Sequence, residues 1–148
     1  MIEDNDIEKD KPGFMPIEKY LVLYIEDNPA NIKLISTVLG RIYNLDVLTA
    51  ITAEYGIELA IARRPHLILM DINLPGMSGV EALRHLKLNS VTCDIPVIAI
   101  TADTLPESIE NGLRAGFEEY ITKPINIYHL KSIVVDILVR QSVMSSNS

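Results

Sequence analysis

Five residues of this chain put polar chemistry at the ends of apolar runs: Glu26, Asp27, Asp71, Thr101 and Lys123. Glu26-Asp27 closes the run from Tyr20 to Ile25, and Asp71 closes the run from His66 to Met70. Thr101 follows Ile95 to Ile100, and Lys123 follows Glu119 to Thr122. Random surface charge has no reason to concentrate at such positions. If the run ends converge, three carboxylates share one pocket, and a pair of unit charges ~4 Å apart repels by about 4 kcal/mol at an effective dielectric of 20. A hard divalent cation relieves that repulsion. Oxygen ligands without His or Cys favour Mg²⁺, with Mn²⁺ as a substitute. An aspartate facing both a lysine and a hydroxyl is then placed to accept a phosphoryl group. The cation and Lys123 would neutralise phosphoryl oxygens and Thr101 would hydrogen-bond another. Aspartyl phosphate is a recognised nucleophilic route for carboxylates.

The elements that must position these residues alternate strictly. Tyr20–Ile25, Leu45–Ala50, the run into Asp71, Ile95–Ile100 and Glu119–Thr122 read as strands. Asn28-Pro29 supplies an N-cap and a first-turn proline for a helix bearing Ile32, Ile35, Val38 and Leu39, with Gly40 as a stop. Further helices are expected from Thr52 to Arg64, Gly79 to Leu88, Glu107 to Ala115 and from near Asn126 through Leu138. Five strand–helix pairs imply a parallel sheet with helices on both faces. Continuous apolar strands are what a sheet buried on both faces requires. With right-handed crossovers, the favoured fold is α/β: a flavodoxin-like doubly wound five-stranded parallel sheet, (βα)5, in strand order 2-1-3-4-5. Ligands of such sheets sit at the carboxyl ends of the strands.

Composition fits one domain. The 148 residues are 48% hydrophobic, and a chain of this size buries a core without staples. Residues 1–17, with Pro12-Gly13 and Pro16 among acids and lysines, read as a flexible leader or linker, 18–140 as the domain, and 141–148 as a flexible tail. No apolar stretch reaches the ~20 residues of a membrane span. Asp and Glu outnumber Lys and Arg by 20 to 13, giving a net charge of −7 and arguing against direct nucleic-acid binding. The lone Cys93 forms no internal disulfide, and the acidic start is unlike a signal peptide, so a cytoplasmic location is expected. His66, His85 and His129 share no ligand spacing and read as structural or surface residues.

The segments Tyr24-Ile25-Glu26-Asp27-Asn28-Pro29, Met70-Asp71-Ile72-Asn73-Leu74-Pro75-Gly76-Met77-Ser78-Gly79, Ala99-Ile100-Thr101-Ala102 and Lys123-Pro124 resemble those of the bacterial response-regulator receiver family. The likeness runs from about Tyr20 to Leu138, with four motifs in the family's order. It implies that Asp71 is the phosphoacceptor, that Asp27 ligates the metal directly and Glu26 mainly through water, and that Asn73 offers its backbone carbonyl. It implies that Thr101 and Lys123 hold the phosphoryl group, that the small Ala102 leaves room for it, and that Tyr120 is the aromatic switch. It also implies a cis Lys123-Pro124 bond, which proline makes accessible. The donor would be a histidine kinase or a histidine phosphotransfer protein, and the chain a monomer or weak dimer that is a switch and no metabolic enzyme. The run Asp27-Asn28-Pro29-Ala30-Asn31 looks like that of many hybrid-kinase receivers. Three other readings compete. A phosphohydrolase with an Asp nucleophile needs a second Asp where Asn73 stands. A flavin-binding module would meet repulsion from Glu26-Asp27. A degenerate receiver, acting only by protein interaction, would not need these residues.

Overall fold

The computed structural model describes residues 19–147, and the side chains of 19–143. The expected leader therefore lies outside the described residues. Ten elements alternate along the chain: β1 (Tyr20–Ile25), α1 (Pro29–Gly40), β2 (Leu45–Ala50), α2 (Ala53–Arg63), β3 (Leu67–Asp71), α3 (Gly79–Leu88), β4 (Val97–Thr101), α4 (Pro106–Ala115), β5 (Glu119–Thr122) and α5 (Ile127–Asn147). All strand pairs are parallel, in the order β2-β1-β3-β4-β5. The doubly wound sheet expected from the alternation is present.

Side-chain alternation divides the core into two layers. Val22, Tyr24, Leu67, Leu69, Ile98 and Ile100 face α1 and α5, meeting Ile35, Leu39, Leu130 and Val134. Leu23, Ile25, Ile68, Met70, Val97 and Ala99 face the other way, onto Ala53 and Ala60 of α2 and Ala82, Leu83 and Leu86 of α3. Helix α4 continues that second layer beside α3. Every residue of the central strands β3 and β4 is buried, whereas β2 and β5, at the sheet edges, alternate with exposed positions. Position in the sheet decides the pattern, since only inner strands are covered on both faces and both sides.

Short polar side chains set four of the five helix starts, and α4 begins instead on Leu105-Pro106 without a side-chain cap. Asn28, Thr52, Ser78 and Asn126 accept the N–H groups of Asn31, Tyr55, Glu81 and His129 at 3.0–3.1 Å. Helix α2 ends on Arg64 in the left-handed region (φ 50°), ahead of Pro65. Strand β4 starts two residues later than the apolar run, because Pro96 lacks an N–H and the Ile95 N–H is spent on the Thr92 carbonyl. Asp71 is the last residue of β3, so its backbone is fixed by the sheet. The C-terminal segment differs most from expectation. Residues 141–147, read from sequence as tail, continue α5 to Asn147 with Ser142 buried. No Gly or Pro follows Pro124 to stop that helix. Among the described residues, no helix is long and apolar enough to cross a membrane.

His66 ties the start of β3 to β1: its amide donates to the Leu21 carbonyl at 2.8 Å, and its Nδ1 accepts the Leu21 amide at 3.0 Å. Tyr20 packs edge-on against the imidazole, 5.5 Å between centroids. Burial pushes the imidazole below its ordinary 6.5. Above 6.5 both folded and unfolded chains carry it neutral, and its contribution to stability is complete. As pH falls below 6.5 the unfolded chain takes the proton first, so that contribution is lost on the way down to the depressed folded value. The urea midpoint should thus fall more from pH 7.5 to 5.5 in the wild type than in His66→Gln. Equal falls in both would refute the assignment.

Candidate functional site

The ends of β1, β3, β4 and β5 converge at one edge of the sheet and carry the polar residues together. Carboxylate oxygens of Glu26, Asp27 and Asp71 all lie within 4.8 Å of one another. Lys123 Nζ donates to Asp71 Oδ2 at 2.8 Å and stands 3.9 Å from Glu26 Oε1. Asp71 Oδ1 accepts the Asn73 amide at 2.8 Å, so both oxygens of this buried carboxylate are held. Asp27 is exposed, at the mouth of the pocket, while Glu26 is 1% exposed.

Thr101 is fully buried, and its Oγ1 accepts the Asp103 amide at 3.0 Å and the Asn73 Nδ2 amide at 3.5 Å. The Lys123-Pro124 peptide is cis. Ala102 is exposed beside Thr101. Tyr120 stands apart from the carboxylates. Its ring is half-buried, edge-on to Phe117 at 5.7 Å between centroids, with its hydroxyl end laid against Gly112 of α4. A methyl group at Gly112 would occupy the space of the tyrosine ring and hydroxyl, so glycine is what admits the ring here.

The electrostatics follow from crowding. Burial raises the Glu26 carboxyl above its usual value; the Asn28 amide opposes this and the neighbouring Asp71 charge adds to it. Burial acts to lower Lys123, yet the hydrogen bond to Asp71 and the charges of Asp71, Glu26 and Asp27 outweigh it, and its ammonium is held more firmly protonated than usual. Burial and the Asp103 charge raise the Tyr120 phenol. A pocket of three clustered carboxylates with oxygen donors alone suits a hard divalent cation, which removes the repulsion that burial sharpens.

Four residues of the site were not singled out from sequence for it. Tyr24 donates its hydroxyl to Glu26 Oε1 at 3.0 Å, the Asn28 amide donates to Oε2 at 3.2 Å, and Asn31 Nδ2 reaches Oε1 at 3.5 Å. Gly112 is the fourth, through its contact with Tyr120. A signal for Tyr24 existed: a phenol within an apolar strand needs a polar partner, and the residue two further on shares its face.

The class is set by the fold and by the place of the pocket: a flavodoxin-like doubly wound domain with a polar pocket at the carboxyl ends of its strands. A family model described as the response regulator receiver domain matches residues 22–135, and the chain belongs to that family, the receiver domains of two-component systems. It is similar to the polar-differentiation response regulator DivK of Brucella anthropi, 39% identical over 106 residues, covering 72% of this chain and 85% of that protein. It is 36% identical over 104 residues to the phosphate regulon transcriptional regulatory protein PhoB of Pseudomonas aeruginosa, covering 70% of this chain but 45% of that longer protein. The chain thus spans less than half of the phosphate regulator. A solved receiver domain of a Pseudomonas aeruginosa sensor histidine kinase, with a magnesium ion coordinated in its active site cleft, superimposes with TM-score 0.71 at 30% identity, covering 84% of this chain and 98% of that one.

Proposed function

We propose that the chain is the phosphoacceptor switch of a two-component phosphorelay, taking a phosphoryl group from a phosphohistidine donor onto Asp71. The observation that carries this reading is the Lys123 ammonium 2.8 Å from Asp71 Oδ2, inside a cluster of three carboxylates at the strand ends. An Asp71 oxygen attacks phosphorus, forming the new O–P bond as the P–N bond to the donor imidazole breaks and its electron pair leaves with the imidazole. Lys123 holds a phosphoryl oxygen by charge, and the Asn73 amide and the sheet fix the nucleophile's direction. Mg²⁺, or Mn²⁺ in its place, held by Glu26, Asp27, Asp71 and the Asn73 carbonyl, would supply further charge neutralisation. Ala102 leaves space beside the acceptor.

Once formed, the aspartyl phosphate carries about −1.5 to −2 charges in place of the single charge of the carboxylate. The buried Thr101 hydroxyl, whose oxygen accepts the Asp103 and Asn73 amides, has its proton to donate toward it. Tyr120 follows on the same side of the sheet, and the surface of α4, β5 and α5 changes its partner preference. The donor is a histidine kinase or a histidine phosphotransfer protein, and the chain acts in the cytoplasm as a monomer or weak dimer. It assists its own phosphorylation and slow dephosphorylation and turns over no metabolite. Phosphoramidate carries the same P–N bond as phosphohistidine and tests the reading directly. Intact mass should show one added phosphoryl group with Mg²⁺ and none with EDTA. An unmodified chain in Mg²⁺ and phosphoramidate, and again with a phosphorylated histidine phosphotransfer protein, would sink it.

A further inference from the structure

Tyr24 is among the largest fully buried side chains of the domain, and its one polar atom is spent on a single carboxylate. Its place on β1 puts it on the same strand face as Glu26, two residues on, at the point where the strand opens into the pocket. Glu26 is itself almost wholly removed from solvent, so its two oxygens depend on donors from the protein. Oε2 has the Asn28 amide at 3.2 Å. Oε1 has the Tyr24 hydroxyl at 3.0 Å, with the Asn31 amide at 3.5 Å and the Lys123 ammonium at 3.9 Å as longer contacts. Without the phenol, Oε1 keeps only the two long contacts, and the stronger attraction is toward Lys123. That ammonium is already given to Asp71 at 2.8 Å.

We propose that Tyr24 is a positioning residue for the cation pocket: its hydroxyl pins Glu26 Oε1, keeping the carboxylate aimed at Asp27 and Asp71 and leaving Lys123 on Asp71. The inference rests on the phosphoacceptor reading of this pocket and deepens it. It gives the phenol, an atom that the acceptor chemistry does not touch, a part in metal affinity. The groups that orient a metal-binding side chain commonly contribute 10–100-fold to affinity.

The test is Mg²⁺ binding by isothermal titration calorimetry, with no phosphoryl donor present, on the wild-type chain, Tyr24→Phe, Glu26→Gln and the double variant. Phenylalanine keeps the ring and its packing. Tyr24→Phe should weaken Mg²⁺ binding about tenfold, while adding it to Glu26→Gln should change affinity no further, since the phenol acts through that carboxylate. Wild-type affinity in Tyr24→Phe, or an undiminished loss in the Glu26→Gln background, overturns the proposal. In the unsubstituted chain the Tyr24 ring resonances should shift along the same Mg²⁺ titration, and unmoved resonances overturn it as well, whatever the folding of the variants. A wild-type chain that binds no Mg²⁺ would overturn the reading of the pocket itself. A chain that binds Mg²⁺ and accepts phosphoryl but ignores the loss of the phenol would overturn only the role of Tyr24.

Discussion

Asp71→Ala should take up no phosphoryl group from acetyl phosphate or phosphoramidate in Mg²⁺, under conditions where the wild-type chain is fully modified. Glu26→Gln and Asp27→Asn should remain modifiable, but slowly. The difference separates the atom that bonds to phosphorus from those that prepare its surroundings. Only Asp71 presents a carboxylate with one oxygen on Lys123 and the other on the Asn73 amide, at a backbone position fixed by β3 pairing with β4. The variant should fold. Removing Asp71 costs its bonds to Lys123 and Asn73, and a charge-assisted hydrogen bond is worth about 1.5–3 kcal/mol. It also removes repulsion from two carboxylates within 4.8 Å, about 3.5 kcal/mol for each pair at an effective dielectric of 20. The opposing effects are of one size, so the thermal midpoint should move by only a few degrees. Intact mass reads the adduct and circular dichroism the fold. A modified Asp71→Ala chain would place the acceptor elsewhere.

Strand–helix alternation and the ends of apolar runs made the sheet and most of the pocket readable in advance. Both depend on pattern: which faces are apolar, and where an apolar run stops. Asp71 and Lys123 lie 52 positions apart, yet each ends a strand of one parallel sheet, so their meeting follows from topology. The bonds around Glu26 depend on something finer. Asn31 reaches it from the first turn of α1, and the Asn28 amide turns back onto it, through angles set by how α1 leaves β1. Apolar periodicity records that α1 packs on the sheet and is silent on such angles. Gly112 has the same status. In sequence it is a weak residue in a short helix, and only the crossing of α4 over β5 shows that Tyr120 needs its missing side chain. The extension of α5 to Asn147 was obscured because polar, serine-rich composition suggests a tail, while helix termination requires a breaker or a lost packing face. Ser142 is buried, so that face persists past Arg140.

Lys123→Met offers the second large effect, and it should move two observables in opposite directions. The substitution keeps the aliphatic length and removes the ammonium that lies 2.8 Å from Asp71 Oδ2 and 3.9 Å from Glu26 Oε1. Three carboxylates then face an incoming anionic donor with one countercharge fewer. Deleting a preorganised charge aimed at the transferring group typically costs about 10²–10³ in rate, and phosphoryl uptake at saturating Mg²⁺ should slow by that order. Mg²⁺ itself should bind more tightly, because a like charge has left its pocket. Even when well screened, a unit charge ~4 Å from a divalent ion is worth about 2 kcal/mol, so a gain of roughly thirtyfold is expected. Loosening of the pocket by a destabilising substitution would weaken both, and a solvated lysine with no part in the site would change neither. Slow uptake together with tighter Mg²⁺ binding is the outcome that only a lysine shared between carboxylates and phosphoryl group produces. Calorimetry for the metal and time-resolved intact mass for the adduct measure the two on one sample.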